Sequence, residues 1–370
     1  MFRVLISLLL GGFLLAADFW KTAQPDYRWS FPRDHWTHPG YRVEWWYFTG
    51  HLRAKAASAS RWAYQFTFFR VGLLPARPPL ASRWATENLI LGHAALTDLG
   101  RGQHRFSELL YRAVPFLGGF SDFPDPRLAW SRGPAGTETG WTVRRAEEAF
   151  ELEMADRRRG IGFHLSTLPL KPVVLQGPNG YSRKAGAGDA ASLYYSFTRM
   201  STEGTLEWDG ERREVRGESW MDREWSSSSL GPEQAGWDWF GLRLDDGREL
   251  MLYLLRKKDG SIDFRYGTLV GQDGKARYLS AGEWSIAASE SWTSPSTGAG
   301  YPSLWRIEIP GEALRFSVVP ELSDQENRSQ VPGGVYYWEG AVRVQTPEGA
   351  RLGEGFMELT GYGPGSRPPV

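Results

Sequence analysis

The sequence contains no cysteine. Disulfides, thiolate metal sites, cysteine nucleophiles and an acylated cysteine at the N-terminus are thereby excluded. It also lacks an excess of either charge, because 43 Lys and Arg balance 43 Asp and Glu. A balanced chain without a basic run gives no electrostatic reason to expect nucleic acid as a partner. No amphipathic helix of three turns can be read anywhere. Past the N-terminus no run approaches the ~20 apolar residues that span a bilayer. There is no Gly-x-Ser-x-Gly elbow of the kind serine hydrolases use. The glycine-rich stretch 176–188 ends without Gly-Lys-Ser/Thr and without a following helix, so it is not a phosphate loop. Histidine is scarce: all six lie in the first half of the chain.

What the chain has in abundance is glycine and aromatic residues. Glycine supplies 43 of 370 positions, with 18 Trp and 19 Phe. That glycine share is about 12%, against an ordinary ~7%. Many short strands joined by tight turns, with large rings between them, fit this composition. The length suits two domains of ordinary size. Met1–Ala17 reads as a secretory signal peptide: Arg3 leads, Val4 to Leu15 is apolar, and Ala16-Ala17 are small residues for cleavage. The expectation is a secreted or periplasmic protein with its leader removed, an uncleaved anchor being the alternative.

Glu44-Trp45-Trp46-Tyr47-Phe48-Thr49-Gly50-His51-Leu52 reads as a strand that is covered on both faces. Alternation turns Glu44, Trp46 and Phe48 to one face and Trp45, Tyr47 and His51 to the other. A barrel wall, packed inside and covered outside, satisfies both faces. Strand-like segments recur from Trp62 to Leu359, with a short helix expected near Ser107–Arg112. The 176–188 loop is long enough to be a binding loop, and Ser226–Pro232 is the best linker.

The pattern then repeats. Gly217-Glu218-Ser219-Trp220-Met221-Asp222 matches Gly353-Glu354-Gly355-Phe356-Met357-Glu358, with Tyr194-Tyr195 and Tyr336-Tyr337 upstream of each. Trp45-Trp46-Tyr47-Phe48 matches Trp237-Asp238-Trp239-Phe240, and Phe68-Phe69-Arg70 matches Leu254-Leu255-Arg256. Matches at both ends of each half, in one order, indicate an internal duplication. The expected fold is all-β, with two tandem β-barrels at residues 18–230 and 231–370. A closed barrel of about eight strands has room for one small ligand, as in lipocalins.

Several stretches resemble a known family: His38-Pro39-Gly40 with Glu44 to Tyr47, Lys171 to Lys184, Trp220 to Trp225, Gly236 to Phe240, and Glu358 to Tyr362. They are similar to the AttH-like, lipocalin-like secreted proteins related to carotenoid 1,2-hydratase (hydroxyneurosporene synthase), a group also labelled predicted secreted hydrolases. The resemblance covers residues 30–363. It implies two lipocalin-like domains, a bacterial extracytoplasmic setting and, in the hydratase branch, addition of water to a carotenoid double bond without an organic cofactor. In that branch a histidine stands near the position that Arg223 holds here. Arginine cannot trade protons near neutrality.

Protonating an alkene needs a carboxyl group kept neutral by burial. The candidates are Glu44, Glu218, Asp222 and Glu224. Asp222 comes first, because it lies between Trp220 and Trp225 and beside Arg223. The competing reading is architectural: Asp222 or Glu224 paired with Arg70, Arg223 or Arg256, a reading that Glu358, as the repeat of Asp222, favours. His51 and His93 could carry protons in a cavity or simply sit in the walls. His35 and His38 with Glu44 lack metal-ligand spacing, and neither a metal nor a cofactor is expected. Trp46, Tyr47, Tyr195, Trp225, Trp237 and Trp239, with Arg223, are the candidate lining of a pocket inside a barrel or at the seam between barrels.

Three functions follow. One is a periplasmic protein binding a lipid-like or polyene ligand. Another is a cofactor-free lyase or isomerase using Asp222 or Glu44 with His51 or His93. The last is a scaffold for a membrane transporter. A cavity with an unpaired carboxyl and a histidine within reach favours the enzyme, and a purely apolar one favours the carrier.

Overall fold

The computed structural model describes residues 20–368 apart from 57–59, 187, 229, 332–333 and 364. Met1–Ala17, the expected signal peptide, lies outside the described residues. Among the described residues there is no α-helix, only three 3-10 turns, at Arg33–His35, Pro178–Gly180 and Pro310–Glu312. Among the described residues no helix is long and apolar enough to cross a membrane.

Strands alternating large apolar residues make up nearly everything else. The first half holds β1 (Val43–Ala54), β2 (Arg61–Gly72), β3 (Asn88–Asp98), β4 (Gln103–Arg112), β5 (Gly118–Phe120), β6 (Arg127–Ser131), β7 (Trp141–Ala146), β8 (Ala149–Asp156), β9 (Ile161–Pro169), β10 (Val174–Leu175), β11 (Tyr181–Arg183), β12 (Ala191–Trp208) and β13 (Glu211–Ser226). The second holds β14 (Gln234–Leu244), β15 (Glu249–Lys257), β16 (Ile262–Val270), β17 (Ala276–Leu279), β18 (Ser285–Thr293), β19 (Gly300–Ile309), β20 (Leu314–Pro320), β21 (Glu326–Arg328), β22 (Tyr336–Gln345) and β23 (Arg351–Leu359).

Each half is one antiparallel sheet curled around its own core. The first runs β4-β3-β2-β1-β13-β12-β9-β8-β7-β6-β5, and the second runs β17-β16-β15-β14-β23-β22-β20-β19-β18. Laid side by side, the two orders agree strand for strand from β4/β17 to β7/β18, with β5, β6, β10 and β11 added in the first half and β21 in the second. The register agrees too. Tyr47 sits opposite Asp222 and Thr67 in the first sheet, and Trp239 sits opposite Glu358 and Tyr253 in the second. The chain is therefore two β-barrel domains from an internal duplication. Register also refines the tyrosine match. Ser196 faces Asp222 as Glu339 faces Glu358, so Tyr194 corresponds to Tyr337, one residue away from a Tyr194–Tyr336 alignment.

Duplicated geometry explains the glycines that open the repeated motif. A Cβ on Gly217 would lie 1.9 Å from the His51 carbonyl oxygen, and one on Gly353 would lie 2.2 Å from that of Arg243. Both positions need a bare backbone where the closing strand crosses the opening one.

The short helix expected at Ser107–Arg112 is instead the end of β4, paired with β3 from Leu89↔Arg112 to Asp98↔Gln103. Local Ser-Glu-Leu-Leu propensity is overridden there by cross-strand pairing. The 176–188 stretch is not wholly a loop: Tyr181, Ser182 and Arg183 pair with β12.

Trp46, Phe48, Phe66, Phe68, Leu128, Trp141, Tyr195 and Trp225 fill the first barrel. Phe240, Leu252, Trp305, Phe316, Trp338 and Met357 fill the second. A third apolar cluster lies between the barrels, on the outer faces of both: Tyr47, Tyr194 and Trp220 meet Trp239, Met251, Tyr253, Tyr266 and Phe356. Hydrogen bonds pin this seam, among them Ser182 to Tyr266 at 2.7 Å and Arg199 to Glu249 at 2.7 Å.

Candidate active site at the seam

The alternation of β1 divides the sequence-derived candidates. Its inner face carries Glu44, which is fully buried. Arg70 and Arg223 both hydrogen-bond its carboxylate, and the His38 backbone N–H donates to it at 3.0 Å. Burial pushes this carboxyl up, but the two guanidinium groups and His38 outweigh it and hold it well below the usual range. Arg223 also lies 3.8 Å from the Trp46 ring centroid, and His38 stacks on Trp225. Trp46, Tyr195, Arg223 and Trp225 thus belong to a sealed plug inside the first barrel. The expected neighbour relation fails here, because Arg223 serves Glu44 while Asp222, one residue earlier, faces the opposite side.

His51 reaches the seam at another point. Its ring lies 3.4 Å from Glu321 and 3.7 Å from Glu354, both second-half residues. These three are a metal-type group among the described residues, their donor atoms all within 4.8 Å of one another. Arg61 binds Glu321 at 2.7 Å, and Arg243 lies 3.6 Å from Glu354. Their carboxylates are already neutralised, so the cluster reads as an ion-pair clasp between the halves.

The outer face of β1 leads to a different place. Trp45, Tyr47, Gln65, Thr67, Phe69, His93, Lys184, Tyr194, Asp222, Glu224, Trp237, Trp239, Tyr253, Tyr337, Glu339 and Glu358 are among the residues around a cavity of about 330 Å³ in the seam. That volume is at the small end of the range for ligand pockets. Of the expected site residues, the cavity gathers Asp222, His93, Tyr47, Trp237 and Trp239. Glu44, His51, Trp46, Tyr195, Arg223 and Trp225 lie elsewhere.

Three carboxyl groups stand out because no cation among the described residues pairs with them directly. Asp222 accepts from Ser196 at 2.5 Å and Trp220 Nε1 at 2.6 Å on one oxygen, and from the Tyr194 hydroxyl at 2.7 Å on the other. Burial raises it to about 7, against the pull of those donors. Glu358 receives one bond from Trp237 Nε1 at 3.1 Å. Burial, with Asp222 and Glu224 nearby, raises it to about 7. Glu339 faces Glu358 across the β22–β23 ladder. Burial first, and then the Glu358 charge, raise Glu339 well above the carboxylate range. The Tyr47 and Tyr337 hydroxyls lie near it, yet Glu339 Oε1 and the Tyr47 hydroxyl complete no hydrogen bond.

Two buried carboxyls side by side cannot both ionise cheaply, so this pair holds a proton at neutral pH. The fourth acid, Glu224, is neutralised by Lys184 at 2.6 Å and accepts from Ser192. His93 hydrogen-bonds the Tyr337 hydroxyl at 2.7 Å, and burial lowers it to about 3, so it is neutral.

Sequence reasoning missed Glu339 altogether and read Glu358 as architecture. The available signal was positional. Asp222 and Glu358 are the same residue of the repeat on the outward face of their strands, and the outward faces are the ones that meet.

A family model described as AttH-like matches residues 22–362. A crystal structure of an AttH protein from Nitrosomonas europaea is 31% identical over 93% of this chain and 100% of that one, with a TM-score of 0.81. Kievitone hydratase from Nectria haematococca shares the fold at 13% identity, over 89% of this chain and 91% of that one, with a TM-score of 0.65. No curated protein sequence matches the chain.

Proposed function

The chain belongs to the AttH-like family, and from that premise we propose that its seam cavity is the active site of a hydratase- or isomerase-type enzyme for a small hydrophobic substrate. The carrying observation is Glu339, a buried carboxyl with an unpartnered oxygen, set against a second carboxyl in an aromatic cavity. A pocket that only stored an apolar molecule would gain nothing from desolvating acids there. The hydratase named among the similar folds supports the reaction class.

The proton of Glu339 passes to one carbon of a substrate double bond, leaving a carboxylate and a carbocation. The Trp237, Trp239 and Tyr253 rings line the space beside that cation. A water oxygen bonds to the cationic carbon, and its surplus proton goes to the Asp222 carboxylate. Asp222 returns that proton to solvent, and Glu339 takes one back, so the cycle closes. If the cation loses a proton from a neighbouring carbon instead, the product is an isomer. An acid that burial keeps protonated and a base that titrates near 7 suit both directions.

The same walls would serve a periplasmic carrier of hydrophobic molecules, the second reading, which the apolar lining supports. One experiment separates them. The mature protein is incubated in D₂O with small alkenes that bind it, and deuterium on carbon is measured by mass spectrometry. Incorporation that is lost in Glu339→Gln supports the enzyme. Binding without incorporation refutes it and leaves the carrier.

A further inference from the structure

Beside Glu339 the cavity has two polar side chains, Gln65 and Tyr47, that the acid–base scheme does not use. Gln65 and Tyr47 lie on adjacent strands of the first sheet, Gln65 next but one to Thr67, the register partner of Tyr47. Gln65 Nε2 donates to Thr67 Oγ1 at 2.6 Å, which leaves Gln65 Oε1 as an acceptor without a partner. The Tyr47 hydroxyl faces the Glu339 carboxyl without completing a well-formed hydrogen bond, and Glu339 Oε1 lacks one too. These side chains are 2%, 7% and 2% exposed, and all three line the cavity.

A buried polar group left unsatisfied forfeits the hydrogen bond it would make to water. Gln65 and Tyr47, on adjacent strands and both lining the cavity, mark a place suited to a polar partner. The chemistry of that partner is restricted. Gln65 Oε1 can only accept, so the partner must donate. Tyr47 can then supply a hydrogen bond to the partner's lone pair. An O–H satisfies both at once, whereas an ether or carbonyl oxygen satisfies only Tyr47. Trp45, Phe69, Val71, Leu91 and Val335 supply apolar wall to the same cavity.

We infer that Gln65 and Tyr47 form a hydroxyl-binding subsite beside Glu339, which takes the O–H of an otherwise apolar alcohol or phenol. The inference rests on the acid–base reading of the cavity and extends it to the substrate. The hydroxyl held there is next to the proton donor, so the ligand of a hydration–dehydration reaction would dock by its alcohol end.

Three probes test this by calorimetric titration of the mature protein: 1-naphthol, 1-methoxynaphthalene and naphthalene. The expected order is naphthol at least about tenfold tighter than either of the others, because only it fills both halves of the subsite. Tyr47→Phe removes a hydroxyl that faces Glu339 without a well-formed hydrogen bond, so the fold should survive, and the preference for naphthol should shrink. Gln65→Met should abolish it, with a thermal melt confirming folding. Equal affinity for all three probes, or an unchanged preference in both variants, overturns the subsite and leaves the cavity reading standing. If none of the probes binds, both fall.

Discussion

Asp222→Asn gives the sharpest test of the electrostatics, because its effect on stability should depend on pH. In the folded protein burial raises Asp222 from 3.8 to about 7. A group whose folded pKa exceeds its unfolded value leaves stability intact below the unfolded pKa. That stability is lost as pH rises toward the folded pKa. A shift of that size at about 1.36 kcal/mol per unit amounts to about 4 kcal/mol lost between about pH 4 and pH 7. Asparagine cannot ionise and should lose none of it.

The variant has a cost of its own. Tyr194, Ser196 and Trp220 all donate to the carboxyl oxygens, and an amide offers only one oxygen in return. Stranding one or two of these donors costs about 1–3 kcal/mol. Urea unfolding over a pH series should therefore find the variant less stable near pH 4 and as stable as the parent, or more so, near pH 8. Removal of the Asp222 charge also eases ionisation of Glu358, which acts in the same direction. Other titrating groups are common to both proteins and cancel in the difference. A stability gap that stays constant with pH would mean that Asp222 titrates like an exposed carboxyl, and the acid–base reading would go with it.

Glu44→Gln should behave in the opposite way. It strands Arg70 and Arg223, 2% and 0% exposed, without their shared counter-charge. The expected loss is about 3–5 kcal/mol in urea unfolding near neutral pH, and a change under 1 kcal/mol would show that the plug carries no net charge pairing. Gly217→Ala puts a methyl group 1.9 Å from a backbone oxygen, where no side chain can yield. A thermal melt should show a large drop or no folded protein, and an unshifted melt would contradict the close strand crossing.

Much of this was legible in the chain. Period-two alternation across Glu44 to Phe48 put Glu44, Trp46 and Phe48 together on one face, and the structure has them inside the first barrel. The repeated motifs announced the duplication because each is held by the same backbone contact, at Gly217 and at Gly353. Alternation says which residues share a face, but not which face meets another domain. For that reason the aromatic residues Trp46, Tyr195 and Trp225 looked as suited to a pocket as Tyr47 and Trp239. Glu339 was invisible for a related reason. It lies between Trp338 and Gly340 in a strand with no polar pattern, and its meaning comes from Glu358 across the ladder and Tyr47 across the seam.

Duplication also accounts for why the cavity holds acids of different character. Asp222 and Glu358 occupy one position of the ancestral repeat, and their neighbours on the adjacent strand, Ser196 and Glu339, occupy another. Had both copies a serine there, each carboxyl would be held by a hydroxyl donor. With glutamate in the second copy, the hydroxyl donor is replaced by a like charge, and that side of the cavity must keep a proton. Two differences between the halves, Ser196 against Glu339 and the indole donor Trp220 against Phe356, thus separate the protonated side from the side that hydrogen bonds prepare for ionisation. Opposed roles at one site need such a difference in environment. A folded pair of barrels packed by their equivalent faces supplies it without any change in the backbone.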